Sequence, residues 1–144
     1  MDGPASEHTT FERLTNELQR PPFNSWIGAR AVRADAQARE IEIMLPFRPE
    51  FSHHPAAPMF HGGIISALID IAGYAAVAVC HGAPAPTISL NVQYLSPASA
   101  PELHARGILR SLGRSIAVAD VEITAGRKAV ALGRGTFHVG GGRE

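Results

Sequence analysis

The hydrophobic positions of this chain follow two periods, one helical and one alternating. The run MFHGGIISALIDIAGYAAVAV, from Met59 to Val79, is apolar on nearly every face of the helix that it predicts. The segment TISLNVQY, residues 87–94, alternates apolar and polar side chains strictly, as in a strand with one buried face. The pattern therefore predicts an enclosed helix followed by a strand.

Shorter segments add one helix and further strands. Phe11, Leu14 and Leu18 are spaced at helical intervals, and Pro21 and Pro22 would end that helix. A segment with three prolines and no period, residues 48–60, is predicted to be a loop. Alternating or β-branched residues between turns predict strands at residues 26–33, 39–45, 102–112, 114–125 and 128–139.

The order of these elements indicates the fold class. One long helix among strands joined by short turns is typical of an α+β domain, in which a curved antiparallel sheet of about five or six strands wraps around that helix. We expect this domain to span residues 23–140. An N-terminal extension with a short helix, residues 1–22, would precede it, and a tail, residues 141–144, would follow it.

Composition excludes several classes of function. The 13 basic and 13 acidic residues cancel, so no global field favours nucleic acid as a partner. The single Cys80 excludes an intrachain disulfide, and the first residues lack the features of a secretory signal. The apolar run from Ile64 to Cys80 falls short of the roughly 20 residues of a bilayer span. We therefore expect a cytoplasmic protein with no membrane segment.

Metal and thiol chemistry find little support in the sequence. His53 and His54 are adjacent, but no further ligand with metal-site spacing accompanies them. Cys80 has no cationic activator nearby in the sequence and is interpreted as a small buried residue. We expect neither a metal nor a cofactor.

Asp70 is the one carboxylate in the apolar run. An unpaired carboxylate in such surroundings costs several kcal/mol, so it is expected to be paired or functional. A bond to a backbone amide, a bond to an arginine across an interface, and catalysis all remain open. Gly62 and Gly63 stand where the helix should begin, and the free amides and positive dipole end there suit a developing oxyanion.

The spacing of Gly62 and Asp70 limits how they can cooperate. Asp70 follows Gly62 by eight positions, which amount to about 12 Å along a helix and about 80° around it. An oxyanion donor and a general base must both approach one reacting group. If these residues act together, two copies of the helix related by a two-fold axis must supply one residue each.

Four motifs resemble one known family. HGGIISALIDIAGYAA, TISLNVQYLSPA, GRSIAVADVEI and GRGTFHV, in this order and spacing, are similar to hotdog-fold acyl-CoA thioesterases of the phenylacetate-degradation (PaaI-like) group. The resemblance spans about residues 40–139. It implies a hotdog fold, hydrolysis of an acyl-CoA to a free acid and CoA, a homodimer as the minimal active unit and a homotetramer as the assembly.

The resemblance also assigns roles to residues. It implies that the Gly62 amide contacts the thioester carbonyl, that Asp70 comes from the partner subunit, that His61 orders the turn and the thioester, and that Thr87 helps to position the hydrolytic water. CoA, as part of the substrate, would contact Ser89, Tyr94, Ser111, Leu112, Gly113, Arg114, Ser115, Ile116 and His138.

One stretch departs from the family pattern. Relatives often carry an Asn or Gln in the loop before the HGG motif, where this chain has Pro55 and Pro58. His53 or His54 would have to substitute for that polar residue, or be merely solvated.

The sequence thus favours an acyl-CoA thioesterase acting on an aryl-acetyl, other aromatic or medium-chain acyl group. It leaves open whether Asp70 is a general base or a nucleophile. The alternatives are a hotdog-fold acyl-CoA hydratase or dehydratase, whose usual motif differs, and a non-catalytic acyl-CoA-binding module, which would not need Asp70.

Overall fold

Two helices precede the first strand, where the sequence predicted one. In a computed structural model that describes residues 7–140, α1 (Glu7–Gln19) is followed by α2 (Pro22–Ile27). Pro22 begins α2 because proline fits the first position of a helix, and Gly28 ends it at φ 82°. The prediction that Trp26 begins a strand was therefore wrong. Leu14 and Leu18 of α1 are buried in the main core.

Six strands form one antiparallel sheet. These are β1 (Arg30–Asp35), β2 (Glu40–Pro46), β5 (Thr87–Tyr94), β6 (Glu102–Leu112), β7 (Ile116–Ala125) and β8 (Lys128–His138), in the order β1-β2-β6-β7-β8-β5. The predicted α+β class and strand number are confirmed. The limits predicted for the domain stay a prediction, and the tail at residues 141–144 lies outside the described residues.

The segment predicted to be a loop is more ordered than its prolines indicated. A 3₁₀ turn (Pro49–Phe51) leads into a small hairpin of β3 (Ser52–His54) and β4 (Ala57–Phe60). The Ser52 hydroxyl oxygen lies 2.7 and 2.6 Å from the carbonyl oxygens of His54 and Ala57 and can donate its proton to either, which stabilises the hairpin turn. The Ser52 side chain therefore stabilises a hairpin that the hydrophobic pattern did not predict.

The long helix α3 (Gly62–His81) lies on the inner face of the sheet against β2, β5, β6, β7 and β8. It approaches β6 so closely that a Cβ on Gly107 would stand 2.6 Å from the Ala72 carbonyl oxygen. At 20 residues, α3 is long and apolar enough to cross a membrane, so the length argument from sequence was wrong. Most of its residues are nevertheless buried inside the protein, as in a core helix.

The strand β5 lies at the edge of the sheet. It pairs with β8 on one side, and its other side is open within the described chain. Ile88, predicted to lie on a buried face, is 55% exposed because the register shifts between Thr87 and Ser89. This bulge turns Thr87 toward α3, on the same face as Leu90, against the strict alternation of the sequence.

Candidate active site

The first turn of α3 leaves one backbone amide without an acceptor. The Gly63 amide donates to Nδ1 of the capping His61 at 2.8 Å. The amides of Ile64 and Ile65 both donate to the His61 carbonyl oxygen, at 3.0 and 3.2 Å. Within residues 7–140, the Gly62 amide has no acceptor. The turn therefore presents a single free donor, at the positive end of the helix dipole.

Tyr94 lies beside this turn. Its hydroxyl donates to the Gly62 carbonyl oxygen at 2.8 Å and lies 2.5 Å from the Ser66 hydroxyl. A Cβ on Gly62 would meet the Tyr94 ring at 3.4 Å. We call His61, Gly62, Gly63, Ser66 and Tyr94 the amide end of the site.

Asp70 lies farther along α3 and is paired with a hydroxyl. The Thr87 Oγ1 donates to Asp70 Oδ1 at 2.7 Å, across 17 residues of sequence. Asp70 is half-buried and Thr87 is exposed, so the pair borders solvent. Within the chain, the partner of Asp70 is therefore a hydroxyl and not a backbone amide, and a bond to an arginine across an interface stays a prediction. We call Asp70 and Thr87 the carboxylate end.

One chain keeps the two ends apart. Gly62 lies beside Tyr94, at the last residue of β5, whereas Asp70 lies beside Thr87, at the first. Eight residues of helix place them about 12 Å apart along its axis. A single chain therefore does not bring the Gly62 amide and the Asp70 carboxylate to one reacting atom.

Most of the residues expected to contact CoA lie together. Residues 111–116 span the connection from β6 to β7, in which Ile116 pairs with His138, and the Val139 amide donates to the Ser115 carbonyl at 2.9 Å. The His138 amide donates to Pro86 at 2.9 Å, so this cluster adjoins the start of β5 and the carboxylate end. Leu112, Gly113 and Arg114 are exposed in the same connection.

Ser89 and Tyr94 lie elsewhere. Leu90 pairs with Gly135 on the helix side of the sheet, so Ser89 points to the outer face. Tyr94 belongs to the amide end, at the other end of β5 from the turn at residues 111–116. Within one chain, these two residues do not join the cluster.

The two loop histidines have different surroundings. The His53 ring lies 5.7 Å from the His61 ring, between centroids, whereas His54 Nδ1 accepts a hydrogen bond from the Ala56 amide at 3.0 Å. Of the two, His53 is the one next to the amide end.

Sequence reasoning missed the partnership of Ser66 with Tyr94. The sequence motifs assigned Ser66 no role in the site. Its position four residues after Gly62, on the same helix face, is the signal that would have placed it beside the turn.

Cys80 and the possible metal ligands are candidates for chemistry of their own. Burial raises the pKa of the Cys80 thiol above its ordinary value, which disfavours a thiolate. Among residues 7–140, no group of three His, Cys, Asp or Glu side chains is close enough to hold a metal ion.

Comparisons with known proteins agree with this fold. The family model of the thioesterase superfamily matches residues 58–131. Human acyl-coenzyme A thioesterase 13 is 31% identical over 104 residues, which cover 69% of this chain and 74% of the human protein.

Two solved structures are similar over most of their length. A crystal structure described as a protein from the thioesterase superfamily has a TM-score of 0.85 and 32% identity, covering 91% of this chain and 98% of that chain. The Escherichia coli PaaI protein, from the phenylacetic acid degradation operon, has the same fold, with a TM-score of 0.82 at 23% identity over 96% and 98% of the two chains.

The resemblance stated from the four sequence motifs is thereby confirmed. The matched region contains Gly62, Asp70 and Thr87, and therefore both ends of the candidate site. The chain belongs to the thioesterase superfamily and is a thioester hydrolase with the hotdog fold.

Proposed function

We propose that this protein is an acyl-CoA thioesterase whose active site is completed by a second copy of the chain. The observation that carries the proposal is the contrast between two groups on one helix. Gly62 supplies the one unoccupied amide of the first turn, and Asp70 is a solvent-bordering carboxylate held by Thr87. They are an oxyanion donor and a base, separated along the chain.

The open edge of β5 supports the assembly of these groups. Two copies of an edge strand that pair antiparallel about a two-fold axis place the start of one strand opposite the end of the other. Such pairing would set Thr87 opposite Tyr94 of the partner subunit. The carboxylate end of each subunit would then face the amide end of its mate, which makes two equivalent sites.

The chemistry follows from this arrangement. The Gly62 amide donates to the thioester carbonyl oxygen and stabilises the charge that develops there. Asp70 of the partner subunit removes a proton from water, which attacks the carbonyl carbon, with Thr87 holding the carboxylate. The carbon–sulfur bond then breaks, and CoA leaves as a thiolate that takes up the proton. Direct attack by Asp70 is the alternative, with an anhydride intermediate that water hydrolyses.

The remaining expectations belong to the same proposal. The acyl group is aryl-acetyl, other aromatic or medium-chain, and CoA binds along the turn at residues 111–116, with Arg114 available to its phosphates. The enzyme uses no metal or further cofactor, acts in the cytoplasm and assembles as a homotetramer of two dimers. Neither nucleic acid nor a membrane is a partner.

A mixing experiment tests the shared site. Asp70→Asn lacks the base, and Gly62→Pro lacks the amide donor, so each homodimer should be nearly inactive. In a heterodimer of the two variants, one of the two sites would have both native groups. Random mixing by refolding should therefore restore about one quarter of native activity, whereas sites within single chains would give no recovery.

Thiol release from a panel of CoA thioesters tests the reaction itself. Phenylacetyl-CoA, hydroxybenzoyl-CoA and acyl-CoAs of 6 to 12 carbons cover the proposed acyl classes. Hydrolysis of at least one of them supports the proposal. Saturable CoA-ester binding with no thiol release would favour the binding module, and hydration of an enoyl-CoA without thiol release would favour the hydratase.

A further inference from the structure

The peptide unit between Gly62 and Gly63 is hydrogen-bonded at both of its polar atoms. Its carbonyl oxygen accepts from the Tyr94 hydroxyl at 2.8 Å, and its N–H donates to His61 Nδ1 at 2.8 Å. A peptide unit is planar, so two such bonds fix the orientation of the whole plane. That plane begins at the α-carbon of Gly62, the residue whose own amide is free.

The Ser66 hydroxyl orients the Tyr94 hydroxyl. The Ser66 Oγ lies 2.5 Å from the Tyr94 hydroxyl oxygen. Because the Tyr94 hydroxyl has one proton and donates it to Gly62, Ser66 must be the donor of the Ser66–Tyr94 bond. The order of donors is therefore Ser66 to Tyr94 to the Gly62 carbonyl.

The position of Tyr94 makes this arrangement notable. Tyr94 is 54% exposed in the single chain and stands at the end of an edge strand, so within the chain its bonds to Gly62 and Ser66 are what orient its hydroxyl. Its ring lies against Gly62, where an added Cβ would meet it at 3.4 Å, so the ring also forms a wall beside the free amide.

We propose that Tyr94, oriented by Ser66, is a positioning residue that holds the free Gly62 amide in the direction needed to bind the thioester oxygen. The proposal rests on the function proposed above. It assigns Tyr94 a role that differs from the CoA contact implied by the family resemblance. Tyr94 acts through a backbone peptide and donates no proton to the substrate.

The two roles predict different kinetics. A residue that only binds CoA contributes equally to substrate and transition state, and its loss raises KM at constant kcat. A residue that aims an oxyanion donor contributes mainly in the transition state, and its loss lowers kcat at nearly constant KM.

The test compares Tyr94→Phe, Ser66→Ala and the double variant with native protein. Tyr94→Phe keeps the ring and removes the hydroxyl, and we expect kcat to fall roughly tenfold, the effect of one hydrogen bond, with KM changed by less than about twofold. Ser66→Ala should lower kcat by about threefold. The double variant should equal Tyr94→Phe, because Ser66 acts only through the Tyr94 hydroxyl.

Tyr74→Phe is the matched control. It removes a hydrogen-bonded tyrosine hydroxyl from α3 that faces Glu17 of α1, 12 residues or about 18 Å along the helix from Gly62 and the amide end. Its kcat and KM should equal those of native protein. Sedimentation of every variant checks that the assembly is unchanged.

Amide hydrogen exchange provides a readout that does not need turnover. In ¹⁵N-labelled Tyr94→Phe, the Gly63 amide, which donates to His61, should exchange at least about fivefold faster than in native protein, while the amides in the middle of α3 stay protected. A raised KM at constant kcat, multiplicative effects in the double variant, or unchanged exchange at Gly63 would each overturn the proposal. If native protein hydrolyses none of the thioesters and Tyr94→Phe still shows faster exchange, the proposed function is rejected. The positioning of the turn by Tyr94 is then supported.

Discussion

The two ends of the candidate site are built in different ways. At the amide end, the turn has a local cap, since His61 accepts from Gly63 only two residues away, and Tyr94 adds a bond to Gly62 across 32 residues. At the carboxylate end, Asp70 is held by Thr87 from another element, across 17 residues and next to a bulge. The amide end therefore has a local component, the cap, whereas the carboxylate end depends entirely on tertiary packing. Substitutions at the two ends should therefore differ in their effects on turnover and on stability.

Asp70→Asn should have the largest effect on turnover. Asparagine keeps an oxygen that accepts from Thr87 but cannot act as a base, so kcat should fall by about a thousandfold. The thermal unfolding midpoint should stay within a few degrees of that of native protein. Near-normal hydrolysis by this variant would remove Asp70 from the mechanism.

Gly62→Pro should come next. Proline fits the first position of a helix, and His61, at φ −62° and ψ 139°, has the extended backbone favoured before proline. The substitution therefore deletes the free N–H with little change in fold, and kcat should fall by about a hundredfold. Circular dichroism serves as the control for folding, and full activity in a folded variant would contradict the oxyanion role.

Thr87→Val tests the hydroxyl of Thr87 while the shape of the side chain is kept. Valine has nearly the same volume but donates nothing to Asp70, so kcat should fall by roughly tenfold. Thr87→Ser restores the donor and should recover most of the loss. Equal activity in the two variants would mean that the hydroxyl does not orient the carboxylate.

His61 tests the local character of the amide end. His61→Ala removes the cap and should lower the free energy of unfolding by about 1 kcal/mol, whereas His61→Asn, a strong N-cap residue, should retain it. Urea denaturation measures both. Thr87 variants should leave stability less changed than His61→Ala, and the reverse order would show that the comparison of the two ends is wrong.

Tyr74 gives an effect confined to alkaline pH. Burial and the neighbouring Glu17 carboxylate raise the pKa of Tyr74 from 10.0 to about 12. The protonated folded form is thus favoured, so this stability is complete below pH 10 and is lost as the pH rises toward 12. Unfolding of native protein and Tyr74→Phe between pH 9 and 12 should show a steeper loss for native protein, and parallel curves would contradict the shift.

The contrast between the two ends also explains what the sequence could predict. The helix start, the free amide at Gly62 and the separation from Asp70 follow from local rules and helix geometry, and the structure has them. The bulge after Thr87, the exposure of Ile88 and the second hydroxyl at Ser66 depend on which strand pairs with which, and no local period encodes that. Trp26 was misassigned because a short helix can begin at Pro22, directly after the prolines that end α1.

Gly107 has a consequence for the enzyme as a whole. The Ala72 carbonyl packs against Gly107 and leaves no room for a methyl group, so backbone atoms alone set the distance between α3 and the sheet. Gly62, Ser66 and Asp70 travel with the helix, whereas Thr87 and Tyr94 stay on the strand. A Cβ added at Gly107 would therefore move these helix groups away from the two strand groups. It would disturb both ends of the site without contacting either of them.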